Sequence, residues 1–138
     1  MSDELKLRYK AEARFMRALY YFTLMDFFGP VPVYDENTIV AEDFMNMLEP
    51  RKSLEEVRKF IIDDLDNADT YLPTEWDASN AGRATKAAAM SLKGKVLLYA
   101  KEYEAAKECF EAVVTNKEGK YGRKKTLPGL CRLVQTGW

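Results

Sequence analysis

Residues 84–114 read ATKAAAMSLKGKVLLYAKEYEAAKECFEAVV, and this stretch decides the fold. Thr85 is a good N-cap, and the Ala84, Ala87, Ala88, Ala89, Leu92, Val96 and Leu97 that surround and follow it offer a small-residue face followed by a bulky one. Such a face lets a second helix approach closely. Tyr103, Ala106, Phe110, Val113 and Val114 continue the helical spacing to about Lys117. Only Ala100-Lys101-Glu102 separates the two runs, a connection so short that it forces an antiparallel pair of helices, expected over 85–100 and 103–117. Gly94, Ala106 twelve residues on, Phe110 four further and Val113 three further match the tetratricopeptide repeat. In that repeat a glycine on the first helix faces a small residue on the second, with an aromatic wedged beneath. The repeat's usual Trp and its closing Pro are missing.

Working outward, Asp3 to Phe28 contains neither Pro nor Gly, and Ala11, Phe15, Ala18, Phe22 and Met25 recur at steps of four and three. This predicts one long helix, over about 3–28. Its second half adds Leu19, Tyr20, Tyr21, Leu24, Phe27 and Phe28 on other sides, so neighbours must cover it on several faces. Gly29, Pro30 and Pro32 end it. The connection over 29–52 has no sustained period, with a short helical turn expected at Val40 to Leu48. Ser53 followed by Glu56 is a capping box that opens a helix over 53–72. Leu54, Val57, Ile61, Leu65, Ala68 and Leu72 form its stripe, and Pro73 closes it. The pattern places Arg58, Lys59, Asp63, Asp64, Asp66 and Asn67 on the wet side. The acidic run Asp63 to Asp69 reads as a solvated face, because metal-binding loops need a turn glycine that is absent there.

Composition narrows the function. The 138 residues suit one domain, and 47% hydrophobic with 31% charged residues allow a real core. The net charge of -1 argues against nucleic acid as a partner. With no histidine, Ser-His-Asp and Cys-His nucleophiles are excluded, together with most transition-metal sites; no metal or cofactor is expected. Cys109 reads as a small core residue, and a disulfide to Cys131 stays open. The apolar run Phe15 to Phe28 is 14 residues long and holds Arg17 and Asp26, too short to cross a bilayer. Met1-Ser2-Asp3-Glu4 does not read as a secretion signal. From Lys117 onward six bases stand against one acid, whereas residues 1–116 carry 15 bases and 21 acids. The end is a basic tail on an acidic body, and 123–138 is expected to be irregular.

Four blocks in order carry a family resemblance. Ala11-Glu12-Ala13-Arg14-Phe15-Met16-Arg17-Ala18-Leu19-Tyr20-Tyr21-Phe22, running into Phe28-Gly29-Pro30-Val31-Pro32, resembles a helix and its exit in the SusD/RagB family of Bacteroidetes glycan-uptake lipoproteins. Arg51-Lys52-Ser53 with Val57, Ile61, Asp64, Leu65 and Leu72-Pro73 is similar to the second block. Gly82-Arg83-Ala84-Thr85-Lys86 with Ala100, Tyr103 and Ala106 is similar to the third, and Gly119-Lys120-Tyr121 to the turn after the fourth helix. The resemblance implies an all-α scaffold of antiparallel, tetratricopeptide-like helix pairs over residues 1–122. It implies a binding protein and not an enzyme, one that sits on a TonB-dependent outer-membrane transporter of the SusC kind and captures oligosaccharides. Family members are several times longer, lie at the cell surface, and attach to the outer membrane through a lipid anchor that no residue here supplies. The chain is therefore expected to be a truncated, N-terminal-half fragment whose residues 123–138 are foreign to the family.

Sugar recognition needs flat aromatic faces and planar polar groups. Trp76, Asp77 and Asn80, next to Arg83, offer that mixture, and Tyr34 with Asp35 and Asn37 offers a second. Arg83 and Thr85 lie in a block that looks structural. Tyr20, Tyr21, Tyr99 and Tyr103 sit at helical spacing and read as packing residues. Arg14 and Arg17, one turn apart, read as paired structural arginines bonded to a carboxylate or to carbonyls. The competing reading is an independent tetratricopeptide-like adaptor that binds a protein or peptide in its groove. A glycosidase needs two acids facing across a cleft, and the pattern puts the acids on outward faces.

Overall fold

The computed structural model describes residues 2–38 and 49–115. The turn expected at Val40 to Leu48, Cys131, the Gly119-Lys120-Tyr121 turn and the tail 123–138 lie outside the described residues. Within them every regular element is helical: α1 (Asp3–Phe28), α2 (Leu54–Tyr71), α3 (Lys86–Tyr99) and α4 (Tyr103–Thr115), with one 3-10 turn at Ala78–Asn80. No helix among the described residues is long and apolar enough to cross a membrane.

The ends of the helices follow from local chemistry. Ser2 Oγ accepts from the Leu5 N–H at 3.3 Å to cap α1, and Asp3 and Glu4 sit in its first turn, where they complement the helix dipole. At the other end Gly29 takes φ 69° and ψ -132°, a positive-φ conformation outside the left-handed helical well that glycine alone adopts readily. Its N–H donates to the Met25 carbonyl at 3.0 Å. The capping box forms at α2: Ser53 Oγ accepts from the Glu56 N–H at 3.2 Å, and Glu56 Oε2 accepts from the Ser53 N–H at 2.8 Å. Thr85 Oγ1 accepts from the Ala88 N–H at 3.3 Å and caps α3.

α1 packs along α2, α2 along α3 and α3 along α4, while α1 meets α3 over a smaller area. Arg17 bonds Asp64 and Tyr21 packs edge-on against Phe60 at 5.3 Å, so the partner number falls as α1 advances and the two helices are antiparallel. Ala11 and Ala18, both fully buried, let them approach. Ala11, Ala18 and Phe22 of α1 share one core cluster with Val57, Ile61, Leu65 and Ala68 of α2, with Leu72 just beyond its end, and with Ala89, Leu92 and Val96 of α3. A smaller cluster of Leu97, Ala106 and Cys109 joins α3 to α4. Burial pushes the Cys109 thiol pKa up, as suits a core residue.

The tetratricopeptide-like pair is close-packed at the glycine. A Cβ added to Gly94 would lie 2.8 Å from the Phe110 ring, well inside van der Waals contact. The result is an all-α fold of antiparallel helix pairs.

Two expectations are corrected. Asp64, placed on the wet face of α2 by its pattern, is only 3% exposed, because Arg17 of α1 reaches over to neutralise it. A single-helix period cannot register a cation that arrives from another helix. Tyr21 packs, but Tyr20 and Tyr103 are mostly exposed; Tyr99 is half-exposed, edge-to-face with Phe22 at 5.4 Å and beneath the Lys95 ammonium at 5.8 Å.

Candidate functional site

The loop between α2 and α3 is closed at its base by the Lys86 N–H, which donates to the Pro73 carbonyl at 3.1 Å. Inside it the Trp76 indole Nε1 donates to the Ala84 carbonyl at 2.7 Å, so the ring spans the loop and is half-buried. Asp77 caps the 3-10 turn. Its Oδ1 accepts from the Ser79 hydroxyl at 2.6 Å and from both the backbone N–H and the Nδ2 of Asn80 at 2.9 Å. These bonds, Ser79's foremost, hold the exposed carboxyl below the usual carboxylate range. It is therefore a lasting anion at neutral pH and a poor general acid.

Arg83 organises the site. Its Nη1 donates to Asn80 Oδ1 at 2.8 Å. Its Nε and Nη2 grip Glu12 of α1 at 2.8 and 2.5 Å, a two-pronged pair across 71 residues of sequence. The bond to Glu12 raises the Arg83 pKa. The same guanidinium stacks on the Trp76 ring, 4.1 Å from its centroid, and lies 5.5 Å from the Tyr9 ring. Arg8 adds a second cation 5.8 Å from the Trp76 centroid. One face of the indole is thus occupied, and a ligand ring must use the face or edge that Arg83 leaves.

Trp76, Asp77 and Arg83 line an open groove of about 480 Å³, together with Thr74, Ala81 and Thr85. That volume lies in the range of small-ligand sites. The groove offers an aromatic edge, two carboxylates, Glu75 and Asp77, and a guanidinium, of which Trp76, Asp77 and Arg83 are held by bonds within the loop and to α1.

Tyr34 lies elsewhere. Its N–H donates to the Tyr21 hydroxyl at 2.9 Å, and Tyr21 is twelve residues along α1 from Tyr9, about 18 Å at a helical rise. The structure therefore brings three of the four candidates together and leaves the fourth at the other end of α1. Beside Tyr34, Asp35 accepts from the Asn37 N–H at 3.0 Å and from the Thr38 hydroxyl at 3.2 Å, a self-contained turn. Glu36 leaves this turn to pair with Arg14 and with Arg17 Nη1, the latter at 3.0 Å. Arg17 also holds Asp64 at 2.7 and 2.8 Å, so the two arginines are paired and structural.

Glu12 and Arg8 are the site residues that sequence reasoning missed. Both are ordinary charges on a charged half-helix, and nothing in their spacing points to a loop some 70 positions away.

A SusD-like family model described as "Starch-binding associating with outer membrane" matches residues 1–98. A SusD-like protein of Bacteroides ovatus is 37% identical over 98 residues, which are 71% of this chain and 17% of that protein. The starch-binding protein SusD of Bacteroides thetaiotaomicron is 36% identical over 105 residues, 75% of this chain and 17% of that one. The solved structure of a laminarin-binding SusD-like protein superposes with a TM-score of 0.73 at 30% identity, covering 82% of this chain and 24% of that one. The chain thus spans about a fifth of the length of these relatives.

Proposed function

Because the chain belongs to the SusD-like family of starch-binding proteins that associate with the outer membrane, we propose that it is the helical part of a cell-surface protein that captures oligosaccharides for a TonB-dependent transporter of the SusC kind. The observation that carries this is the family match across residues 1–98. Relatives named for starch and for laminarin support a glycan as the ligand class. The transporter, the outer-membrane surface location and the lipid anchor come from the resemblance, and they are proposed for the full-length protein. We take residues 1–122 as the helical part and 123–138 as a tail outside it.

The protein would bind without catalysing. The family resemblance supports this reading, and of the carboxylates at the site Glu12 is engaged with Arg83 and Asp77 is held as an anion by the turn it caps. For the ligand we propose the loop groove, with the Trp76 edge against the apolar side of a sugar ring. Asp77 Oδ2, which takes none of the bonds from the Ser79 hydroxyl and Asn80, would meet the hydroxyls, with Asn80 behind it bonded to both Asp77 and Arg83. Tyr34 would form a separate contact at the far end of α1.

Titration of the chain with laminari- and malto-oligosaccharides, followed by Trp76 fluorescence in a Trp138→Phe background, tests the assignment. Saturable binding is expected, weakened at least tenfold by Asp77→Ala, which corresponds to about 1.4 kcal/mol. Calorimetry of Trp76→Ala should show a similar loss. No binding by the parent chain, or equal binding by the variants, would remove the ligand from this groove.

A further inference from the structure

Lys10, Arg14 and Arg17 follow one another on α1 at steps of four and three, which puts three cations on one helix face. With Ala13 and Glu36 they line a cleft of about 230 Å³, and it shares no lining residue with the loop groove. Two carboxylates answer the three cations. Asp64 is buried and accepts from Nε and Nη2 of Arg17. Glu36 reaches in from the loop after α1 and accepts from Arg14 Nη2 and Arg17 Nη1, with 51% of its side-chain surface still in water. Lys10 is exposed and has no ion pair among the described residues. A guanidinium carries five N–H donors. Among the described residues Arg14 gives one of them to Glu36, and its Nε lies 3.9 Å from Asp64 Oδ1, too far for a hydrogen bond. Lys10 and Arg14 are thus like charges one turn apart, an unfavourable pair unless an anion lies between them.

We propose that the cleft binds one singly charged oxyanion group, a sulfate ester or a carboxylate, through Lys10 Nζ and the N–H groups of Arg14 that Glu36 leaves unused. Charge sets the class. One further negative charge brings Lys10, Arg14, Arg17, Glu36 and Asp64 to neutrality together, whereas a doubly charged phosphate monoester would overshoot beside two carboxylates. Shape agrees with charge, because the planar fork of a guanidinium matches the paired oxygens of sulfate and carboxylate. Size agrees as well: the cleft is smaller than the usual pocket for a whole drug-sized ligand and suits one charged group with the atoms that carry it. Glu36 already shows that this pair of arginines holds an oxyanion. It also opposes the incoming group, since the two are like charges on neighbouring donors. The site stands apart from the loop groove, so failure of glycan binding there leaves this proposal intact.

The test titrates the isotope-labelled 138-residue chain with glucose 6-sulfate and with glucuronate at constant ionic strength, with glucose as the neutral control. The Arg14 and Arg17 Nε–H signals are followed by NMR. Saturable shifts with at least one of the two anions are expected, and the tighter one identifies the group that the cleft prefers. Lys10→Gln should weaken binding about fivefold, the scale of one partly exposed ion pair. Glu36→Gln should tighten it by a similar factor, because the opposing carboxylate is gone, a sign that a purely structural Glu36 would not give. Lys6→Gln removes a cation of α1 that lies outside the cleft and pairs with Asp3, and it should change the affinity by less than about twofold. The proposal is overturned by the absence of a saturable shift with either anion, by equal shifts with glucose, or by an equal loss in Lys6→Gln. Unchanged or weaker binding in Glu36→Gln would overturn it too.

Discussion

Arg17 and Asp64 lock α1 to α2 through two parallel hydrogen bonds, Nε to Oδ2 at 2.7 Å and Nη2 to Oδ1 at 2.8 Å. Asp64 is almost wholly buried, while the Arg17 side chain keeps 22% of its surface in water and lies over the Phe60 ring. Arg17→Met strands the carboxylate, whose nearest remaining cation is Arg14 Nε at 3.9 Å. A loss of about 3 kcal/mol is expected in urea unfolding, the low end for a broken buried pair. Arg17→Met with Asp64→Leu should regain most of that loss, because no charge is then left buried. A single substitution costing less than about 1 kcal/mol would show that the pair does not hold the helices together.

Acid should loosen the loop after α1. A hydrogen bond from its own backbone and the guanidinium of Arg17, with Arg14 adding to them, lower the Glu36 carboxyl from 4.5 to about 2. A folded-state pKa below the unfolded one means that the contribution is complete above about pH 4.5 and is lost as pH falls towards 2. Urea midpoints measured between pH 2 and 5 should therefore fall more steeply for the parent than for Glu36→Gln. The shallower slope left in the variant belongs to Asp35, Glu56 and Asp77, all held low by local hydrogen bonds. Identical slopes would mean that the pairing adds nothing in solution.

Gly94 and Phe110 should be coupled. A helical Gly→Ala change ordinarily gains about 1 kcal/mol, but here the new methyl group meets the Phe110 ring. Gly94→Ala is expected to lower stability in the parent and to raise it in a Phe110→Ala background. The coupling energy across this cycle should reach about 1–2 kcal/mol. Additive effects would show that the ring moves aside freely.

The α3–α4 turn carries a correctable strain. The Glu102 N–H donates to the Leu97 carbonyl and the Lys101 N–H to the Leu98 carbonyl, both at 3.0 Å, the paired bonds of a Schellman ending. Its left-handed position is held by Lys101, at φ 65°, where glycine is usual. Lys101→Gly should therefore raise stability by about 1 kcal/mol, read as a higher thermal midpoint with an unchanged helical signal. A lower midpoint would count against the assigned turn.

Much of the fold was legible because its signals are local. Capping by Ser53 and Glu56, the stop at Gly29 and the glycine-aromatic pair of Gly94 and Phe110 each depend on residues within one helix or one hairpin. The candidate site was legible only in part. Trp76, Asp77 and Asn80 share a loop and came together as a group, but the arginine that arranges them is held by Glu12, 71 residues earlier.

The sequence by itself determined the four helices, their ends and the antiparallel pairing of α3 with α4, since these follow from periodicity, caps and a connection too short for any other path. Only the tertiary structure decided which charges are buried and which apolar residues are left outside. Asp64 went in because Arg17 stands opposite it, and Tyr20 and Phe27 stayed out because none of the described residues covers that face of α1. Burial of a charge or an aromatic depends on what arrives from elsewhere in the chain, and neither helical period nor composition carries that information.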